Sequence, residues 1–165
     1  MRYALLFLLS VILAVAIPQE LASKDIPGGY PVPPKIEYSQ EEITCLAENI
    51  FYETLGEPIE GKLAVATVTM NRVRHRRFPN TICEVVYQRN QRGCQFSWTC
   101  GAKTKFVQSL YEEHYNLAKE FLTYEMELDR LNDALFFHAT YVNPQWSFAK
   151  KIEQIGNHIF YEENV

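Results

Sequence analysis

Glu53 has the sequence surroundings best suited to proton transfer. It follows Phe51 and Tyr52 in the segment NIFYETLGEPIEG (residues 49–61), and a helix-breaking glycine comes shortly after it. A carboxyl group beside aromatic rings is poorly solvated, which disfavours its charged form and raises its pKa. A raised pKa suits a general acid that protonates a glycosidic oxygen near neutral pH. We therefore predict a catalytic Glu53, although a Glu near a helix end is more commonly a solvated or capping residue.

Glu57 and Glu60 are the nearby candidates for a second carboxylate, which hydrolytic glycosidases normally require. Gly56 and Pro58 interrupt the helix, so Glu57 is not expected one turn above Glu53, and a Glu just ahead of a helix commonly stabilises the helix dipole. A single convincing carboxylate favours a mechanism in which one group protonates the leaving oxygen and then accepts a proton from a hydroxyl of the sugar itself. Hydrolysis of the glycosidic bond is the alternative.

Two polar and aromatic sets later in the chain are suited to binding a carbohydrate. Amide and imidazole groups can bond sugar hydroxyls, and aromatic rings offer flat apolar faces with, in Tyr and Trp, a polar group. Each set also has a structural alternative. The aromatic residues of the first set could pack in the core, and the polar residues of the second could make a structural hydrogen bond or begin a turn. The predicted substrate-binding residues are Gln95, Phe96 and Trp98 in the first set, and His138, Tyr141, Asn143 and Trp146 in the second.

The apolar spacing predicts an α+β domain over residues 39–165 that is mainly helical. Ser39 and Glu42 form a capping box, and a buried stripe of helical period follows to Tyr52. Further helices are predicted over residues 59–75, apolar on nearly every face and therefore central, over 81–87, and over 107–122. Residues 88–93 are predicted as a loop. Residues 134–142 and 159–161 are predicted to pair in a small C-terminal sheet.

Polar residues near the end of the central helix need partners if they are buried. We predict a structural hydrogen bond from Asn71 to the loop of Glu53, with simple exposure as the alternative. The basic residues that follow are expected to interact with the negative end of the helix dipole, or else to attract an anionic wall polymer. This basic cluster comprises Arg72, Arg74, His75, Arg76 and Arg77.

The four cysteines are even in number and follow an apparent export signal, so disulfides are expected. Cys94 and Cys100 bracket five residues and are the first pair to join, which leaves Cys45 with Cys83. Four cysteines allow three pairings, and their spacing does not choose among them.

The N-terminal 22 residues are typical of a signal peptide or signal anchor. A positive end precedes an apolar run from Tyr3 to Ile17, and small residues offer cleavage after Ala16 or Ala22. Residues 23–38 are rich in proline and glycine and are predicted to be a linker. The domain is therefore expected to be exported to the periplasm, the cell wall or the medium, with membrane association only through the N-terminal segment.

Composition narrows the classes of function. The 165 residues are 47% apolar, enough for one ordinary domain, and we expect a monomer. The formal net charge of −4 gives no support to a nucleic-acid partner. No metal-ligand spacing such as H-E-x-x-H is present, so neither a metal nor an organic cofactor is predicted.

Several blocks in order resemble the SleB-type cell wall hydrolases, over about residues 43–161. They are FYETLGEPIEGKLAVATVTMNRV at 51–73, FPNTICEVVYQ at 78–88, GCQFSWTC at 93–100, HATYVNPQW at 138–146 and IGNHIFY at 155–161. The resemblance implies a lysozyme-like fold and cleavage of the bond between N-acetylmuramic acid and N-acetylglucosamine in peptidoglycan. It favours a lytic transglycosylase, in which the internal hydroxyl is the sugar's 6-hydroxyl, over a muramidase that hydrolyses the same bond. It places the family's catalytic glutamate at Glu53 and the second glutamate of the signature at Glu57. Phe51, Thr54 and Leu55 depart from the usual pattern, and the absence of a frequent Arg at position 55 puts in doubt a substrate contact there.

Three other classes of protein are compatible with an exported wall-associated chain. A zinc amidase would use some of the four histidines, a cysteine peptidase would need a free thiolate, and a non-catalytic wall-binding module would use the same aromatic residues to hold glycan. Chelator sensitivity, thiol titration and product analysis respectively discriminate these classes from a glycan-cleaving enzyme.

Overall fold

The computed structural model describes residues 36–91, 93–101 and 108–164. The predicted signal segment 1–22 and all but the last three residues of the predicted linker 23–38 lie outside these ranges. Within the described residues, no helix combines the length and apolarity that crossing a membrane requires.

Four α-helices carry most of the fold: α1 (Gln40–Glu53), α2 (Ile59–Arg74), α3 (Ile82–Val86) and α4 (Gln108–Tyr124). The N-cap bond predicted at the start of α1 is present, and α3 begins with the same kind of cap. The hydroxyl oxygen of Ser39 accepts from the Glu42 N–H at the start of α1, and that of Thr81 accepts from the Glu84 N–H at the start of α3. These caps satisfy backbone donors that have no partner inside a helix. The predicted helix bounds are confirmed to within about two residues.

Helix α2 runs between the two apolar clusters of the domain, which confirms its predicted central place. Ala66 and Met70 pack in a cluster with α1, α3 and α4. Val65 and Val68 pack in a second cluster with the C-terminal sheet, including Phe160. One helix that buries residues on opposite faces is expected to be apolar nearly all round.

The C-terminal sheet has three antiparallel strands, β3 (Phe136–Ala139), β4 (Ala149–Ile155) and β5 (His158–Glu163), in the order β3-β5-β4. The predicted pairing of β3 with β5 is confirmed, whereas β4 was not predicted. Most residues of β4 are exposed or half-buried, so its sequence lacks the apolar alternation that predicts a strand. The loop predicted over residues 88–93 was wrong in part. It contains a short pair of strands, β1 (Arg89–Asn90) and β2 (Gly93–Cys94).

Both disulfides expected from the cysteine count are present, in the predicted pairing. Cys45–Cys83 joins α1 to α3, and Cys94–Cys100 closes the segment that follows β2. These two bonds use all four cysteines of the sequence. The alternative of a cysteine peptidase therefore lacks the thiolate that it needs.

The predicted bond from Asn71 to the Glu53 loop was wrong. Asn71 is buried, but its amide nitrogen donates to the carbonyl oxygens of Leu131 (2.7 Å) and Ala134 (2.9 Å). These two carbonyls lie in the turn that precedes β3, so the side chain of Asn71 ties helix α2 to this turn. Asn71 thus supports the site indirectly, because it holds the turn from which strand β3 begins.

Candidate active site

A cavity of about 450 Å³ lies between the helices and the sheet, and Glu53 is on its wall. It has the size of a small-molecule site. Five parts of the chain form it: the end of α1, the last turn of α2, the segment closed by the Cys94–Cys100 disulfide, the sheet, and the loop that follows β3. The lining residues are Tyr52, Glu53, Arg72, Gln95, Phe96, Ser97, Trp98, Phe136, Phe137, His138, Ala139, Tyr141, Val142, Trp146 and His158.

Glu53 is the last residue of α1, and as a whole residue it is half-buried. Burial raises its pKa to about 7, and the positive charge of Arg72 opposes that increase. Glu53 is the only carboxyl group on the cavity wall among the residues that the structure describes. Near neutral pH it is therefore present in both its protonated and its ionised form, as a group that gives and takes a proton requires.

Arg72 is turned into the domain, so the prediction that it joins a basic cluster at the helix end was wrong for this residue. Only 3% of its surface is exposed. Its guanidinium lies over the rings of Phe96, at 5.0 Å, and Phe78, at 5.4 Å, and its Nε donates to the carbonyl oxygen of Leu135 at 2.8 Å. With the Gln95 amide oriented to satisfy both of its ends, the amide oxygen accepts from Nη1 and Nη2, each at 3.2 Å.

One wall of the cavity is an aromatic pair on the helical side. The rings of Tyr52 and Trp98 stack with centroids 4.5 Å apart. The Trp98 indole N–H donates to the side-chain oxygen of Asn49 at 3.2 Å, and the Asn49 amide donates to Thr69 at 3.1 Å. Asn49 is fully buried and lies one helical turn before Glu53, so a single side chain ties the end of α1 to α2 and to this wall.

Another wall comes from the sheet and from the loop that follows β3. His138 stacks on Tyr161 and bonds its hydroxyl at 2.8 Å, while the other ring nitrogen contacts the Ala139 carbonyl at 2.9 Å. Trp146 packs edge-on against both rings. His138 is thus held as a hydrogen-bonding partner, and Tyr141, with 88% of its surface exposed, extends this wall toward solvent.

Strand β3 also presents its backbone to the cavity. All four of its residues, Phe136–Ala139, are on the cavity wall, and side chains on a strand alternate between faces. A cavity that contacts all four therefore lies along the edge of the strand. The strand order leaves that edge without a neighbouring strand, and an edge carries N–H and C=O groups that the sheet does not pair.

Three predicted or considered residues lie away from the cavity wall. The carboxylate of Glu57 accepts from the backbone N–H (3.0 Å) and the side-chain amide (2.9 Å) of Asn157. Glu60 pairs with Arg130, and Asn143 is exposed after β3. Glu57 holds the turn between β4 and β5, which is a structural task.

The sequence interpretation missed Arg72, Tyr52 and His158 as residues of the site. His158 is 7% exposed, burial lowers its pKa, and its buried Nδ1 has no hydrogen-bond partner in the described structure. A usable signal existed for Arg72: it is a cation within a helix that is otherwise apolar on nearly every face, and a buried charge needs a partner. Nothing local distinguished Tyr52 or His158 from core residues.

The histidines are dispersed over the fold. His75 follows α2, His114 lies in α4, and His138 and His158 lie on neighbouring strands. Over residues 36–91, 93–101 and 108–164, no three His, Cys, Asp or Glu side chains meet in a group that could hold a metal ion.

Comparison with known families places this site in context. The family model described as Cell Wall Hydrolase matches residues 56–161, well over half of the chain. The chain belongs to this cell wall hydrolase family. The match begins three residues after Glu53, so membership does not depend on the candidate catalytic residue.

Relatives and solved structures agree with this membership. The chain is 28% identical over 157 residues to a spore cortex-lytic enzyme of Bacillus subtilis and 31% identical over 135 residues to one of Oceanobacillus iheyensis. These alignments cover 90% and 74% of this chain but only 44% and 42% of the relatives. The chain thus spans less than half the length of these curated relatives.

Two solved catalytic domains share the fold. The catalytic domain of the germination-specific lytic transglycosylase SleB from Bacillus anthracis superposes with a TM-score of 0.59 at 27% identity, covering 79% of this chain and all of that domain. The catalytic domain of Bacillus cereus SleB gives 0.56 at 28% identity, covering 82% of this chain and 99% of that domain. These matches confirm the predicted α+β class with a small C-terminal sheet.

Proposed function

We propose that this domain cleaves peptidoglycan glycan strands at the bond between N-acetylmuramic acid and N-acetylglucosamine, as a lytic transglycosylase. One observation carries the proposal: among the described residues, a single carboxyl group lines the cavity, and its pKa is raised to about 7. A hydrolase of the usual kind needs two carboxylates that flank the bond. The related Bacillus anthracis domain is called a lytic transglycosylase, which supports the same choice.

Glu53 performs both proton transfers in this mechanism. Its carboxyl proton passes to the glycosidic oxygen as the bond from C1 of N-acetylmuramic acid to that oxygen breaks, and the second sugar leaves as an alcohol. The Glu53 carboxylate then takes the proton of the C6 hydroxyl, whose oxygen bonds to C1 and closes a 1,6-anhydro ring. Glu53 ends protonated, as it began, and no water is consumed.

The cavity walls suit the substrate. Tyr52 and Trp98 on one side, and Trp146 on the other, offer the apolar faces against which sugar rings pack. The open edge of β3 offers backbone donors and acceptors that match the amide of an acetamido group. We assign to Gln95 the role of holding Arg72 in place. We assign His138 to the part of the cavity wall that faces the sugar.

The location and state of the protein follow from the same proposal. Peptidoglycan lies outside the cytoplasm, and the two disulfides suit an oxidising compartment. We propose an exported monomer that acts in the periplasm, the wall or the medium, with residues 1–22 as its signal or anchor.

Digestion of purified peptidoglycan tests the class of reaction. A glycan-cleaving enzyme releases soluble muropeptides, each with its stem peptide still attached to muramic acid. Release of free stem peptides would instead identify an amidase, and binding to the wall without any soluble product would identify a non-catalytic module. Either of these two results overturns the proposal.

The pH dependence of cleavage is expected to follow Glu53. The acid form starts the reaction, and burial raises its pKa to about 7, so kcat/KM holds below that pH and falls as the pH rises through it. An ordinary surface glutamate would give a fall near its usual pKa of about 4.3. Initial rates of muropeptide release measured from pH 5 to 9 check this, and rates that rise steadily above pH 7 would contradict it.

A further inference from the structure

Arg72 is held in place from four directions. Aromatic rings pack against its guanidinium, a backbone carbonyl accepts from Nε, and an amide oxygen accepts from both terminal nitrogens. Burial lowers its pKa to about 10, so it still carries its charge at neutral pH. Burying a charged guanidinium costs free energy unless it is paired and hydrogen-bonded. A favourable interaction with the end of the helix dipole would not require this burial, because an exposed arginine makes it equally well.

The charge of Arg72 acts on Glu53, and both side chains line the same cavity. Of the charged side chains that the structure describes, Arg72 is the one that acts on the Glu53 carboxyl. From the sheet side, His138 and His158 line the same cavity, but His158 interacts electrostatically with Glu57 and His138 instead. From the disulfide-closed segment, Gln95 and Trp98 face the cavity without charge. The electrostatic surroundings of Glu53 are therefore set by burial and by Arg72.

We propose that Arg72 is a positioning residue for Glu53: a fixed counter-charge that lets one buried carboxyl pass between its acid and base forms. The proposal rests on the proposed function, in which Glu53 must ionise after its first proton transfer. A buried carboxyl without a counter-charge resists ionisation, whereas one bonded directly to an exposed cation becomes too weak a base. At 3% exposure, with Nε and both terminal nitrogens engaged, Arg72 acts through Glu53 and not on the sugar.

Titration of Glu53 itself tests the proposal without relying on catalysis. The carboxyl carbon of Glu53 is followed by NMR in protein labelled at the glutamate carboxyls, and its signal is assigned by its loss in Glu53→Gln. We expect Arg72→Met and Arg72→Gln to raise the pKa of Glu53 by about one unit or more, and the alkaline limb of kcat/KM to move up with it. Arg72→Lys keeps the charge and is expected to leave the Glu53 pKa close to its original value, although its loss of planar packing lowers kcat.

A matched control lies two residues away on the same helix. Arg74 is half-exposed, pairs with Glu127 and does not line this cavity, so Arg74→Met is expected to leave the Glu53 titration unchanged. Two charge-removing variants are used so that the result does not depend on one of them folding, which circular dichroism verifies. An unchanged or lowered pKa of Glu53 in the folded variants overturns the role of Arg72. A shifted Glu53 pKa together with full cleavage by Glu53→Gln would instead overturn the proposed function and leave the electrostatic role intact.

Discussion

Replacing Glu53 with Gln is expected to lower kcat/KM for glycan cleavage by about a thousandfold while leaving the fold intact. The amide has the shape of the carboxyl but has no proton to give at neutral pH. Because Glu53 is the only described carboxyl on the cavity wall, no neighbour replaces it. Muropeptide release from purified peptidoglycan measures the loss.

The control for this substitution is Glu60→Gln, which changes a nearby carboxylate that pairs with Arg130 away from the cavity. It is expected to keep wild-type rates. Stability gives a second check, because burial raises the folded-state pKa of Glu53 above its unfolded value. The contribution of Glu53 to the free energy of unfolding is therefore lost as the pH rises from about 4 through about 7, so the wild type loses stability relative to Glu53→Gln over this range. Undiminished cleavage by Glu53→Gln would remove Glu53 from the mechanism.

Removing the Cys45–Cys83 disulfide is expected to lower the free energy of unfolding by about 4 kcal/mol. The bond joins residues 38 apart in sequence, and cross-linking so long a loop removes much entropy from the unfolded chain. Neither cysteine lines the cavity. The double variant Cys45→Ala/Cys83→Ala should therefore cleave glycan at near wild-type rates wherever it is folded, and urea unfolding measures its stability.

The second disulfide provides the contrast. Cys94 and Cys100 are only 6 residues apart, so the double alanine variant is expected to lose about 2 kcal/mol. The closed segment carries Gln95, Phe96 and Trp98 on the cavity wall. Loss of this disulfide should therefore lower the rate of glycan cleavage more than loss of Cys45–Cys83 does, although it lowers the free energy of unfolding less. The structural account fails if the two pairs exchange roles, with Cys45–Cys83 affecting cleavage and Cys94–Cys100 affecting stability more.

The parts of the fold that were predictable depend on local signals. Ser39 and Thr81 cap helices through bonds to residues three positions away, and the apolar period of α1 lies within one segment. Strand β4 lacked such a signal, because it is bound to β5 through its backbone and buries little apolar surface. The helices were predictable because their signals lie within a few residues of one another, and β4 was not because its pairing depends on another strand.

The candidate site was only partly predictable for the same reason. Glu53 was marked by its own neighbours, Phe51 and Tyr52, and most residues of both predicted sugar-binding sets do line the cavity. Arg72 was misjudged because Phe96 and Leu135, which bury and bond it, come 24 and 63 residues later. The partners of Asn71 are equally distant, at separations of 60 and 63 residues. A polar residue on an apolar helix indicates burial, but its partner is known only from the folded chain.

The most direct test of the central claim is mass spectrometry of the soluble products formed from purified peptidoglycan in water enriched in oxygen-18. If Glu53 serves as both acid and base, the products end in 1,6-anhydromuramic acid and contain no heavy oxygen, because the C6 hydroxyl and not water attacks C1. Reducing ends that carry oxygen-18 would contradict the account, since they require that water, and not the C6 hydroxyl, attacks C1.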